Sequence, residues 1–304
     1  MPRTIMVAGA SGFVGSRLVR RLEAAGHDVR AMTRRPEAYR GAGTPVQADV
    51  HDRTSLVAAM EGVEVAYYLV HLLGSPDFEE QDAQAAESFG RAAFDAGVQQ
   101  IVYLGGLGRD DDELSAHLRS RREVEAILGQ AGVPVTAVRA GIIVGHGGAS
   151  WEIIRQLVDV LPGVVAPSWL RTRTQPVALE DVVRYLAEVI DDPEACGQVI
   201  EIGGPETLTY LEMLQRAANV QGKQLPAIGL PGVASAFVPP ALSTPVVALL
   251  TDVDVTTAAS LVESMGNETV VSGTTSFAVV PEDFLRYDDA VRSAILERDG
   301  AAGT

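Results

Sequence analysis

Thr4-Ile5-Met6-Val7-Ala8-Gly9-Ala10-Ser11-Gly12-Phe13-Val14-Gly15-Ser16-Arg17-Leu18 decides the fold. The run Thr4 to Ala8 is apolar and short, as a buried strand is. From the second glycine on, Phe13, Val14, Leu18 and Leu22 fall on one side of a helix. In a strand–turn–helix unit each glycine has its own task. Gly9 lets the chain turn sharply, Gly12 leaves room for a pyrophosphate to approach the main chain, and Gly15 lets the helix pack close to the strand. The free N–H groups at the helix start, at the positive end of its dipole, would hold the phosphates. Glycines also mark ordinary turns. The strand before and the helix after point here to dinucleotide binding through Gly9, Ser11, Gly12, Phe13, Val14 and Gly15.

Working outward, the first helix is expected to end at Gly26, and His27 to Met32 is a second strand. It runs into Thr33-Arg34-Arg35-Pro36. An acidic residue at that strand end would bind a ribose 2′-hydroxyl. Two arginines suit a 2′-phosphate, so NADP(H) is expected over NAD(H), although both could be solvated surface charges. Thr44 to Ala48 is a third strand ending at Asp49-Val50, where Asp49 either meets an adenine amino group or caps the helix around Thr54 to Met60. Val63 to Val70 is a fourth strand, and His71 after it either lines a cleft or sits at the surface. Asp77 to Ala96 is an amphipathic helix with Phe89, Ala93 and Phe94 on its apolar side. Gln100 to Gly106 is a fifth strand, Leu114 to Gln130 a helix, and Pro134 to Arg139 a sixth strand. Strands alternating with helices at these lengths predict an α/β fold, a Rossmann-type doubly wound parallel sheet. Ligands of such sheets lie at the C-terminal strand ends, which adds Leu69, Val70, His71 and Gly105 to the expected cofactor contacts.

Beyond Arg139 the rhythm loosens. The expectation is a nucleotide-binding domain over residues 1–202, with an excursion at 146–174, and a smaller C-terminal substrate lobe over 203–304. Glu180-Asp181 would cap a helix to about Ile190, and Thr209 another beginning at Tyr210.

The 304 residues carry a formal net charge of −16, which argues against wrapping nucleic acid or sitting on an anionic membrane by charge. Cys196 is the only cysteine, so no intramolecular disulfide forms, and a reducing cytoplasm is the expected setting. Met1-Pro2-Arg3-Thr4 leads straight into the first strand, leaving no room for a signal peptide. From Gln224 to Thr251 there is no charge, but five prolines interrupt the stretch, so no transmembrane helix is expected.

Together these features resemble the short-chain dehydrogenase/reductase superfamily in its extended and atypical branches. The matching residues are Gly9-x-x-Gly12-x-x-Gly15, the arginines after the second strand, Asp49 after the third, Arg139-x-Gly141-x-x-x-Gly145, and Pro176-Val177-Ala178-Leu179-Glu180-Asp181-Val182. Tyr67-Tyr68-Leu69-Val70-His71, Tyr103 to Gly108 and His117-Leu118-Arg119-Ser120-Arg121 resemble more closely an NmrA-like, NAD(P)H-binding subgroup. The resemblance implies fold and cofactor, and no particular substrate. Hydride-transferring members of the superfamily use Ser/Thr, Tyr and Lys, the tyrosine as acid/base beside a lysine ammonium. This chain cannot. Its only lysine is Lys223, and Gly105-Gly106 stand where the Ser/Thr would be. The expected helix offers His117 and Arg121 at i and i+4. Either His117 is the acid/base, with Arg121 holding the nicotinamide ribose, or both only pack against the cofactor.

His146, in a glycine-rich turn, is a weaker candidate for touching substrate. No residue spacing suggests a metal site. Asp110-Asp111-Asp112-Glu113 reads as a solvated acidic loop capping the helix of His117. On the substrate side, Trp151, Leu157, Val164, Val165, Trp169 and Phe237 either wall an apolar pocket or form a second core, and Arg171 and Arg173 would meet an anionic end of a ligand. The expected activity is that of an oxidoreductase or isomerase acting on a small, largely apolar molecule. The alternative is a non-catalytic NADP(H) sensor that acts through a protein partner.

Overall fold

In the computed structural model the described residues are 1–75, 77–109, 112–165, 168–228, 240–273, 277–279, 281 and 283–302. Six strands come first: β1 (Thr4–Ala8), β2 (Asp28–Thr33), β3 (Thr44–Gln47), β4 (Val65–Tyr68), β5 (Gln100–Gly106) and β6 (Val135–Ala140). With Val199–Ile202 and Phe277–Val279 they make one parallel sheet. Its order is β3-β2-β1-β4-β5-β6, then Val199–Ile202, then Phe277–Val279. The order reverses at β1, between β2 and β4, so a crevice forms there at the C-terminal strand ends.

Helices cover both faces. On one, α1 (Gly15–Ala24) and α6 (Leu179–Glu188) bury Leu18, Leu22, Val182 and Leu186 against Val7, Tyr67, Val102 and Ile200. On the other, α2 (Arg53–Met60), α3 (Phe78–Asp95) and α4 (Ala116–Gly129) bury Leu56, Phe89, Val124 and Leu128 against Met6, Ala66 and Ile101. Strands covered on both faces are apolar throughout, and β4 is buried at all four positions.

A smaller lobe stands over the strand ends. It contains α5 (Ala149–Val160), α7 (Tyr210–Val220), α8 (Pro240–Leu250) and α9 (Val255–Ser264), and α10 (Tyr287–Ala302) packs on it. Thr209 caps α7 in a reciprocal box with Glu212. The chain then returns from the lobe to the sheet, where Phe277–Val279 pairs beside Val199–Ile202.

Several local expectations are corrected. Asp52, not Asp49, caps α2 by accepting from the N–H groups of Thr54 and Ser55, because it stands next to the first helical residue. Ser115 caps α4; Asp112 and Glu113 lie before it, and Asp110 and Asp111 fall outside the described residues. No side chain caps α6. Asp181 is instead buried and accepts from the Leu285 N–H at 2.8 Å. Phe94 is 60% exposed, the last turn of α3 having passed the edge of the core. No helix among the described residues is long and apolar enough to cross a membrane.

Candidate functional site

The glycine turn divides its labour as the spacing predicts. Gly9 has φ +87°, and a Cβ there would meet the Leu69 carbonyl oxygen at 2.8 Å. A Cβ on Gly15 would sit 2.1 Å from the Gly9 oxygen, so α1 rests directly on the turn. Gly12 differs: a Cβ would find only the Gly9 oxygen, at 3.1 Å, and otherwise open space. No side chain caps α1, which leaves its first N–H groups at the positive end of the helix. The turn has the room and the donors that a pyrophosphate requires.

In front of it lies a cavity of about 500 Å³ at the C-terminal ends of β1, β4, β5 and β6. Gly9, Gly12, Phe13, Val14, Gly15, Leu69, His71 and Gly105 line it, as do His117 and Arg121. The other residues of the expected cofactor set lie outside that lining. Ser11, Arg34 and Arg35 are exposed, the arginines next to the turn because Ala8 of β1 pairs with Met32 of β2. Asp49 accepts from the His51 N–H at 3.0 Å. Val50 and Val70 turn to the core on the α2–α4 face.

Three polar side chains meet at the far wall. Asp82 of α3 is 1% exposed. Its Oδ1 accepts from the Leu72 N–H at 3.1 Å, and its Oδ2 accepts from the Ser120 hydroxyl at 3.3 Å. The same Oδ2 lies 2.8 Å from His71 Nδ1, and His71 Nε2 lies 3.1 Å from His117 Nδ1. Arg121, one turn beyond His117, donates to the Leu104 carbonyl and lies over the Tyr103 ring, 4.9 Å from its centroid. Burial, the His71 ring and the Arg121 guanidinium together hold His117 well below the usual imidazole range. Burial and Arg121 lower His71 too, with Asp82 opposing them. Among the described residues, no group of three acidic, histidine or cysteine side chains is disposed to share a metal ion.

His71 is thus a wall residue, not a surface one. Asp82 was not singled out from the sequence, although a signal exists: it occupies the apolar stripe of α3 with Phe78, Ala85, Ala86 and Phe89, and a lone carboxylate there needs partners. Tyr103 is no candidate acid. Its hydroxyl donates to the Arg121 carbonyl at 3.1 Å, and burial raises its pKa.

The lobe supplies the opposite wall, with Ser150 from α5, Tyr210 from α7, Leu261 and Ser264 from α9, and Met265 just after it. Burial pushes the Tyr210 phenol up to about 12, so it stays protonated, hydrogen-bonded to Thr269 and Thr174. Asn267 pins this wall to α4: its side-chain oxygen accepts from the Ser115 N–H at 3.0 Å, and its amide donates to the Glu113 carbonyl at 2.9 Å.

Of the two readings left open for Trp151, Leu157, Val164 and Trp169, the structure favours the second core. Trp151 is fully buried with Val158, Met213, Leu214 and Val291, and Leu157 and Trp169 pack on that cluster. These residues face α7 and α10, which their apolar pattern alone could not name. The side chain of Val165, and Phe237, lie outside the described residues. Arg173 pairs with Glu268 at 3.2 Å, and neither it nor Arg171 lines the cavity. His146 Nδ1 lies 3.3 Å from a Glu152 carboxylate oxygen, and His146 does not line the cavity either.

A family model described as the NmrA-like family matches residues 1–240. An uncharacterized protein of Mycobacterium tuberculosis is 28% identical over 228 residues, 75% of this chain. The chain spans only about a quarter (24%) of that relative's length. A (4-alkanoyl-5-oxo-2,5-dihydrofuran-3-yl)methyl phosphate reductase of Streptomyces griseus is 30% identical over 230 residues, covering 73% of this chain and 75% of its own. Among solved structures, an Escherichia coli NADPH-dependent quinone oxidoreductase complexed with NADPH matches with a TM-score of 0.66. It is 21% identical, with 95% of this chain and 98% of that chain covered.

Proposed function

The chain belongs to the NmrA-like family, and from that premise we propose that it is an oxidoreductase that binds NADP(H) in preference to NAD(H) and acts on a small, largely apolar carbonyl or alcohol. One observation carries the reading: the glycine turn and the His117 ring open on the same cavity. A nicotinamide bound there would give or take a hydride. The chain's own residues do the rest.

Gly12 and the first N–H groups of α1 hold the pyrophosphate. Arg34 and Arg35, exposed and beside the turn, meet the 2′-phosphate. Phe13, Ile142, Leu261 and Met265 give the substrate end apolar walls. Arg121 is the one permanently charged lining side chain among the described residues, and it is already engaged by Leu104 and Tyr103. Among the described residues, a nucleotide sugar would find no free cation in this lining for its diphosphate. His117 exchanges the proton with the substrate oxygen, the role a tyrosine fills elsewhere in the superfamily. The Streptomyces relative's description as a reductase and the Escherichia coli structure's NADPH agree with this reading.

The test is calorimetry with NADPH, NADP⁺, NADH and NAD⁺, followed by a turnover screen against quinones, hydrophobic ketones and alcohols. Binding of both NADP forms with turnover of an apolar substrate is expected. No heat from any nucleotide would overturn the proposal. Gly105-Gly106 in place of a hydroxyl favours a second reading. Binding of one redox form alone, with no turnover, would point to a regulator that senses NADP(H) and acts through a protein partner.

A further inference from the structure

We propose that Asp82, His71 and His117 form a proton relay, with His117 Nε2 as its outer end and a His71 imidazolium paired to the Asp82 carboxylate as its store. The identity of the outer partner, a substrate oxygen, rests on the functional reading above; the relay itself rests on the hydrogen-bond geometry.

The tautomers follow from the partners. Two neighbours of Asp82, the Leu72 N–H and the Ser120 hydroxyl, donate to it. An ionised carboxylate only accepts, so the third contact, at 2.8 Å, places the proton on His71 Nδ1. His71 Nε2 is then a lone pair. Across 3.1 Å the donor must be His117 Nδ1, which leaves His117 Nε2 as a lone pair on a ring that lines the cavity. At rest the outer end is a base.

A proton arriving at His117 Nε2 forms an N–H bond there. The His117 Nδ1–H bond breaks, and its proton passes to His71 Nε2. His117 ends neutral with its other nitrogen protonated, and the positive charge rests on His71, 2.8 Å from the carboxylate. No ring turns over. With NADP⁺ held in the cavity as hydride acceptor, the O–H proton of an alcohol being oxidised would take this path. Carbonyl reduction reverses it. The surroundings favour that resting place for the charge. Arg121 opposes a cation on either ring, whereas Asp82 favours one on His71. The charged groups that act on the pair are Asp82 from α3 and Arg121 from α4; Ser120 bonds Asp82, Tyr68 from β4 and Tyr103 from β5 feel Asp82 and Arg121, and Phe78 lies edge-on to His71. Burial keeps both phenols protonated. The first proton the pair takes up is therefore shared, and its apparent pKa belongs to the pair and not to either ring.

The experiment is ¹⁵N–¹H NMR of the full chain labelled at its five histidines, without nucleotide, across pH. At pH 7.5 both His71 and His117 are expected as Nδ1–H tautomers, against the Nε2–H form that free imidazole prefers. As pH falls, His71 is expected to become doubly protonated while His117 switches to Nε2–H in the same step. In Asp82→Asn the apparent pKa of that step should fall by about one to three pH units. His117 found as Nε2–H beside a neutral His71, or two independent titrations unmoved by Asp82→Asn, would overturn the relay. The wild-type tautomer pattern needs no variant, so it decides the matter even if Asp82→Asn does not fold. Because no nucleotide is present, silent calorimetry with the tautomers intact would remove the oxidoreductase reading and leave the relay standing.

Discussion

On the sheet side of the cavity, the ends of β1, β4, β5 and β6 present backbone and glycine. On the lobe side, α5, α7 and α9 present side chains brought together from more than a hundred positions of sequence. The sheet wall is shaped by contacts between main-chain atoms, such as Gly15 against the Gly9 carbonyl, and no change of rotamer relaxes them. The lobe wall stands on a core of its own around Trp151, and its place over the site depends on the Asn267 clamp to the start of α4.

The largest effect that would break this comparison lies in the lobe. Trp151→Ala should lower stability by about 3–5 kcal/mol in chemical denaturation, because it empties a fully buried site. A loss below about 1 kcal/mol would mean that Trp151 faces ligand and that the lobe has no core of its own. On the sheet wall, Gly15→Ala should cost about 1–3 kcal/mol, since the added carbon meets backbone. Gly12→Val should cost less stability yet leave calorimetry with NADPH flat. Equal stability losses and retained binding would show that the turn is only architectural. The pair Arg34→Ala with Arg35→Ala should weaken NADP(H) by about 1–3 kcal/mol and NAD(H) by less. Equal losses would contradict the assignment of the 2′-phosphate.

The smallest expected effect is one of pH. His71 and His117 are held below the ordinary imidazole value of about 6.5. As pH falls through that value, the unfolded chain takes up protons that the folded chain refuses, so stability is full above it and declines below it. The melting temperature should drop between pH 7.5 and pH 5.5, and less steeply in His117→Gln. Parallel curves would show that His117 contributes nothing to the decline.

The sheet wall was legible because its signals are local. Thr4 to Leu18 carries strand, turn and helix within fifteen residues, and the alternation that follows predicts a parallel, doubly wound sheet, though not the order of its strands. His117 and Arg121 were legible as a pair because four residues make one helical turn, and both do line the cavity. What escaped depends on distant partners. Asp82 gains its meaning from His71 and Ser120, Asn267 from Ser115, and Tyr210 from Thr174 and Thr269. Whether Trp151 and Trp169 wall a pocket or fill a core stayed open in the sequence, because apolar character does not say what covers it. Arg173 looked free because its partner, Glu268, comes almost a hundred residues later.

The return of Phe277–Val279 to the sheet has a consequence for biosynthesis. Until those residues leave the ribosome, Val199–Ile202 is a border strand with one row of peptide groups unmatched, and Ile200 and Ile202 belong to the main core. Such a rim invites pairing with another chain. Three of the lobe's helices, α7, α8 and α9, are thus threaded between two neighbouring strands instead of being hung from the end of a finished sheet. Premature termination between the two strands would release a nascent polypeptide with the core strand Val199–Ile202 at its rim, where the finished chain places a three-residue strand instead.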